Sequence, residues 1–245
     1  MQDRYVGDIG DYFKYGLLRA LSPGRRLGVA WYAFPDEDHN ADGKHISYLE
    51  DAARWKGSDP ALFDELKAIV DAKRRSINSI EQSGILGEAA FHSTLLECEE
   101  SSFAVREEWR RRWFNSVLEH LKYSDLVFID PDNGICADNQ FRYSARKNWK
   151  RIPESEVTAL SENRTSILYH HNSRFKGGHY LEVQHWMRRI SGCTYAVRWR
   201  AGTGRTFFII NPRDEDLGVI QELVSRWGPK AELNFLDSSR NSVSL

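Results

Sequence analysis

The chain has 245 residues, 41% hydrophobic and 12% aromatic, which is ample material for a packed core and excludes disordered and collagen-like classes. Its 34 Lys and Arg against 35 Asp and Glu leave a formal charge of -1, which excludes a polybasic coat but is compatible with a local basic groove. No apolar run approaches the ~20 residues of a membrane span. Met1 to Tyr5 lacks the basic-then-apolar layout of a secretory signal, and Cys98, Cys136 and Cys193 form no CxxC pair, so neither a disulfide frame nor a zinc knuckle is supported. A soluble, cytoplasmic protein with no membrane partner is expected.

Apolar runs of strand length alternate with stretches of helical periodicity, which predicts a single α/β domain over 1–245. Phe13, Leu17, Leu18 and Leu21 space a helix over 11–21, capped by Asp11 and stopped by Ser22-Pro23-Gly24. Leu27 to Phe34 reads as a buried strand, and Pro35 to Asp38 as a polar loop. A helical insertion follows over about 46–88, in which Asp59-Pro60 opens a helix striped by Leu62, Leu66, Ile69 and Val70. Phe91 to Leu96 is a short strand, and Arg106 to Leu121 an amphipathic helix with Arg110, Arg111 and Arg112 on its exposed side. Leu126 to Ile129 and Ser166 to Tyr169 are strands. Cys193 to Arg200 and Thr206 to Ile210 pair as a hairpin through Gly202-Thr203-Gly204. A helix over 216–227 and a strand near 232–236 complete the chain.

In an open α/β sheet, ligands bind beyond the carboxyl ends of the strands. Two polar clusters fall there. Asp130-Pro131-Asp132-Asn133-Gly134 puts two carboxylates and an amide at the end of an apolar strand, although the same residues also make ordinary turns. It is not a calcium-binding EF-hand, because the glycine is one position early and Phe141 stands where the closing glutamate belongs. His170-His171-Asn172 follows the next strand, with His179 and His185 beyond. Adjacent residues on an extended segment point to opposite faces, so only one of His170 and His171 can face a cleft. A third cluster, Gly7-Asp8-Ile9-Gly10-Asp11 with Lys14 and Tyr15, places two glycines before a helix, where backbone can approach a ligand. Basic and aromatic residues interleave over 142–151 and 198–200, a mixture that holds phosphates and stacks bases or simply forms a solvated face.

Gly7-Asp8-Ile9-Gly10-Asp11-Tyr12-Phe13-Lys14-Tyr15 resembles the GNxADVLKH segment that opens the large-subunit (23S) rRNA adenine-N6 methyltransferases, with Gly7, Asp11 and Lys14 identical. Further similarities follow in chain order. Ser47 to Glu50 with Ala53-Arg54-Trp55 resembles that family's helical insertion, Asp130-Pro131 the start of its DPPY motif, and Phe207 to Pro212 its closing INPP strand. The resemblance implies a Rossmann-like methyltransferase-type sheet, mostly parallel with a C-terminal antiparallel hairpin. It also implies S-adenosylmethionine as cofactor and nucleic acid, RNA or DNA, as partner. By the same resemblance Asp130 accepts a hydrogen bond from an adenine amine, and Asp8, Asp11, Lys14 and Tyr15 lie on the cofactor side; Asp132, Asn133, His170 and His171 join Asp130 as candidate catalytic residues from their place beyond the strand ends. The chain departs from the pattern at four places. Asp132 replaces the second proline, Asn133 the stacking aromatic and Tyr15 the closing histidine, while Phe34-Pro35-Asp36-Glu37 has no glycine where the family has its cofactor turn.

Two other readings stay open from the residues. Asp8, Asp11, Asp130 and Asp132 are a candidate set for Mg2+, with His170 or His171 as the base of a metal-dependent nuclease or phosphodiesterase. Alternatively, the chain is a non-catalytic relative that binds nucleic acid.

Overall fold

A computed structural model describes residues 1–37, 43–202 and 204–237. Helix α1 (Ile9–Leu21) starts two residues before the predicted position because Asp8, and not Asp11, is its cap. The Asp8 carboxylate accepts from the backbone N–H of Gly10 (2.7 Å) and Asp11 (3.3 Å). Asp11 then belongs to the first turn, and its carboxylate is left to face inward. Strand β1 (Leu27–Trp31) stops short of the predicted Phe34. Beyond it, Phe34 N–H pairs with the Met1 carbonyl and Leu96 N–H with the Ala33 carbonyl, so the chain has left the sheet ladder.

The insertion is helical as predicted: α2 (Ala52–Trp55), α3 (Pro60–Asp71) and α4 (Ile77–Gln82). Asp59 caps α3 through the Leu62 N–H, Pro60 takes the first helical position, and Leu62, Leu66 and Ile69 are buried. Strand β2 is only Ala90–His92. Helix α5 (Phe103–His120) precedes β3 (Leu126–Asp130), and the chain then makes a short two-stranded excursion, β4 (Ile135–Cys136) with β5 (Ile152–Pro153), before α6 (Glu154–Leu160). Strand β6 (Thr165–His171) includes both adjacent histidines. Helix α7 (Gly178–Arg189) is not among the predicted elements, since its apolar stripe is only Val183, Trp186 and Met187 among many polar residues. Strands β7 (Cys193–Trp199) and β8 (Arg205–Ile210) form the expected hairpin, whose Thr203 lies outside the described residues, as does Asp38 of the predicted loop. Helix α8 (Asp216–Trp227) and β9 (Ala231–Phe235) follow.

The main sheet has the order β2-β1-β3-β6-β8-β7-β9. Pairings β1–β2, β1–β3 and β3–β6 are parallel, whereas β6–β8, β7–β8 and β7–β9 are antiparallel. The sheet is therefore half parallel and not mostly so, because β9 adds a third antiparallel pairing to the expected hairpin. Alternation along the strands sorts the core into two layers. Val29, Phe128, Ile167 and Phe207 pack with α1, α3 and α8, while Ala30, Ile129, Leu168 and Phe208 pack with α5, α6 and α7. Among the described residues no helix is long and apolar enough to cross a membrane, and all three cysteines are free and buried.

Arg110 is the exception to an otherwise exposed basic run. It is fully buried, pairs with Glu156 at 2.7 Å and lies 4.9 Å from the Trp113 ring centre, and Tyr32 donates its hydroxyl to the same carboxylate. Removing one partner of a buried ion pair strands the other charge in a low dielectric, which costs about 3–5 kcal/mol. Arg110→Ala is expected to lower unfolding free energy by about that amount in urea denaturation. The paired change Arg110→Met with Glu156→Gln, which keeps an acceptor for Tyr32, is expected to recover most of it.

Candidate nucleobase cleft

A cleft with a cavity volume of about 110 Å³ opens beyond the carboxyl ends of β3 and β6, beside the start of α1 and the first residue of β8. Asp8, Asp11, Lys14, Asp130, Asp132, Asn133 and His171 from the predicted set line it. Tyr15 and His170 do not. Tyr5, His45, Tyr169 and Arg205 also line it, and sequence reading missed all four.

The floor is a buried ion network. Lys14 Nζ stands 2.7 Å from Asp11 and 3.1 Å from Asp130, and 5.2 Å from the Trp31 ring centre. Burial works to lower the Lys14 pKa, but Asp11 and Asp130 overcome it and hold the ammonium charged. The other Asp11 oxygen accepts from Gly7 N–H and the Tyr15 hydroxyl, which is why Tyr15 is turned into the core and away from the cleft. Burial pushes the Asp11 carboxyl up despite Lys14. Arg205, 197 residues along the chain, forks onto Asp8 at 2.9 and 2.8 Å. Burial would raise the Asp8 pKa, but the guanidinium outweighs it and holds it below the ordinary carboxylate range.

This network reassigns the two glycines. A Cβ at Gly10 would stand 0.9 Å from Nη1 of Arg205, and one at Gly7 would stand 2.6 Å from Val70. Their open space is filled by side chains of the same chain, so they make room for internal packing and not for a ligand.

The two histidines divide as strand alternation requires. His171 and Tyr169 face the α1 side and the cleft. His170 is buried on the opposite side, where Nδ1 accepts the Ile135 N–H (3.2 Å) and Nε2 faces Glu182 (3.2 Å). The tautomer follows: Nε2 carries the proton. Glu182 also accepts from Asn172 Nδ2 and from the Ser173 N–H and hydroxyl, so one buried carboxylate fixes the segment after β6 and, through His170, the segment after β3. Asp132 is held by Gln2 (2.8 Å) and Lys150 (3.5 Å). The tryptophans of the two basic-aromatic stretches are not stacking platforms: Trp149 is fully buried against Trp109, and Trp199 is likewise internal. The INPP-like end of β8 lies at the opposite end of the strands, by the start of β6, where Asn211 donates to the Ser161 carbonyl.

No protein-family model and no curated protein matches the chain.

The described residues do not fit S-adenosylmethionine. Pockets that bury a cofactor-sized ligand run to ~300–1,000 Å³, Asp8, Asp11 and Lys14 are consumed by one another and by Arg205, and neither glycine leaves backbone free. Met1 covers the crevice between β1 and β3, donating to the Tyr32 carbonyl and accepting from Phe34. Nor does the candidate magnesium set fit, since Asp8, Asp11, Asp130 and Asp132 each face a cationic side chain of this protein. Among the described residues no three His, Cys, Asp or Glu side chains are placed to hold a metal ion.

Two outcomes test the network. Gly10→Ala is expected to expel the Arg205 guanidinium and cost about 3–5 kcal/mol, with Gly10→Ala plus Arg205→Ala costing little more than either alone in a double-mutant cycle. Burial works to raise the Glu182 pKa, but hydrogen bonds from His170 and Ser173 hold it at about 2. A depressed carboxylate stabilises the fold above its unfolded pKa and loses that stabilisation as pH falls through the folded one. Wild-type stability should therefore drop by roughly 3 kcal/mol between pH ~5 and ~2 on this account, a component that Glu182→Gln should lack in acid denaturation.

Proposed function

We propose that the cleft is a nucleobase site and that the protein binds nucleic acid through it. On this reading it is a methyltransferase-type α/β fold in which the base-recognition half is built and the described residues supply no cofactor half. The observation that carries the reading is the state of Asp130. Lys14 donates to its Oδ2 at 3.1 Å, while Oδ1 accepts no hydrogen bond among the described residues and the side chain lines the cleft. It is an oriented acceptor for an exocyclic amine. The Asn133 side-chain amide, three residues along the chain, is also without a partner among the described residues and offers the donor and acceptor pair that matches the edge of adenine. Around them Tyr5, Tyr169, His45 and His171 give the mouth of the cleft π-faces, and the enclosed space suits one planar ring.

The adenine-N6 reading supported by the resemblance shares this half of the site: a carboxylate that accepts from the amine. The rings at the mouth take the place of the stacking aromatic that Asn133 displaces from the DPPY pattern. A metal-dependent nuclease needs carboxylates free for a cation, and here the cations are already present as side chains.

Calorimetry and fluorescence anisotropy with a short adenine-containing single strand test the proposal. Asn133→Ala leaves the ion network untouched and is expected to weaken binding by ~1–2 kcal/mol, about 5- to 30-fold in Kd. Asp130→Asn should weaken it further. S-adenosylmethionine and magnesium titrations are expected to give no heat. Micromolar S-adenosylmethionine binding would overturn the statement about the cofactor half and restore the methyltransferase reading in full.

A further inference from the structure

Several cations at the surface of this protein are answered by acids. Arg26 faces Asp125, Lys67 faces Glu50 and Asp71, Arg111 faces Glu107, Lys122 faces Glu119, Arg189 faces Glu154 and Arg226 faces Glu222. Lys44, Arg174 and Lys176 belong, with Arg54, Lys73, Arg74, Arg142, Arg146, Lys147 and Arg188, to the exposed cations not answered in this way among the described residues, and what sets the three apart is their place in the chain next to residues that line the cleft. All three are exposed and have no acidic partner among the described residues.

Their position is not scattered. Lys44 sits between Gly43 and His45, which both line the cleft. Arg174 and Lys176 follow His171 by three and five residues, so the chain itself keeps Arg174 within ~11 Å of that lining residue. The two stretches meet across the turn between β7 and β8. Gly202 lies against Ile9 and His45, while Gly204 lies against His179 and accepts the Asn172 N–H at its carbonyl. Glu182 pins the start of the second stretch at Asn172 and Ser173, so Arg174 and Lys176 project from a fixed base. Among the described residues, the acids between β1 and Lys44 are engaged elsewhere: Glu37 with Lys150, and Asp36 with the Arg4 N–H.

We propose that Lys44, Arg174 and Lys176 form a phosphate grip on the rim, so that the ligand is a polynucleotide strand held on both sides of the bound base and not a free nucleoside. The inference rests on the nucleobase reading of the cleft. An acidic protein segment would answer the same charges, but it has no planar ring for the aromatic mouth and no amine for Asp130.

The test separates the two levels. Adenosine binding by calorimetry probes the base site alone, and anisotropy of a labelled adenine-containing single strand across a salt series probes the grip. A strand gripped by three cations should bind about tenfold or more tighter than adenosine at low salt, with log K falling against log salt at a slope near -2. Arg174→Ala with Lys176→Ala should reduce that slope by about 1.4 while adenosine affinity stays within about twofold. An unchanged slope in the double variant overturns the grip, as does a strand that binds no better than adenosine, or displacement of the strand by poly-glutamate as readily as by unlabelled strand. Loss of adenosine and strand binding together in the wild type overturns the nucleobase reading, and the grip with it.

Discussion

A lysine ammonium buried between two carboxylates sets the terms for everything around the cleft. Lys14 cannot lose its charge cheaply with Asp11 and Asp130 beside it, and it cannot keep that charge without both. Desolvating three ions costs several kcal/mol each before their attraction is counted, so the arrangement demands fixed geometry from the elements that carry it. Asp11 and Lys14 are on successive positions of one helix face, and Asp130 is the last residue of β3. Their contact welds the start of α1 to the carboxyl end of the parallel half of the sheet. Asp8 and Arg205 repeat the construction one turn earlier and weld the same helix start to β8. An apolar cluster would have joined these elements at less electrostatic cost, and what the ionic version adds is a carboxylate oxygen held still and left open.

Much of the fold was legible because its signals are local. Asp59-Pro60 starts α3 for the reasons a cap and a fixed φ give, and the run Leu126 to Ile129 has no plausible life outside a buried strand. Asp8 rather than Asp11 as the α1 cap shows where local reading stops: both acids satisfy the capping pattern, and the choice falls to Lys14 and Gly7, which engage Asp11 from within the fold. Arg110 was illegible for a related reason. Its helix spacing puts it beside two exposed arginines, and only the distant Glu156 and Tyr32 make burial tolerable.

The candidate site divides along the same line. Asp130, Asn133, Lys14 and His171 stood out because polar residues follow apolar strands at the edge where ligands bind. Arg205, Tyr169 and Glu182 gave no such signal: an arginine at the start of a strand, a tyrosine within one and a glutamate on a helix are each ordinary. Their roles exist only through partners 197, 38 and 12 residues away: Asp8, Phe207 across the β6–β8 ladder, and His170. Arg205 is the instructive omission. It is the residue that Gly10 accommodates, so the glycine visible in the sequence and the arginine invisible in it are two halves of one contact.

That contact also shows why glycines before a helix do not by themselves mark a ligand site. A glycine before a helix admits whatever comes closest, and the sequence alone does not distinguish a cofactor from a guanidinium. Once Arg205 occupies the space over Gly10, Asp8 is neutralised, the helix start has its counter-charge from within the chain, and an external ligand has neither room nor charge to bind there. The same occupation leaves the other side of Lys14 unaltered. Asp130 still presents Oδ1 to the cleft, with Asn133 beside it and rings at the mouth. Closing one half of the site with a protein cation therefore does not disturb the other. It fixes the acceptor more firmly, because Lys14, tied to Asp11 in a helix that Arg205 anchors, has no freedom left to swing away from Asp130.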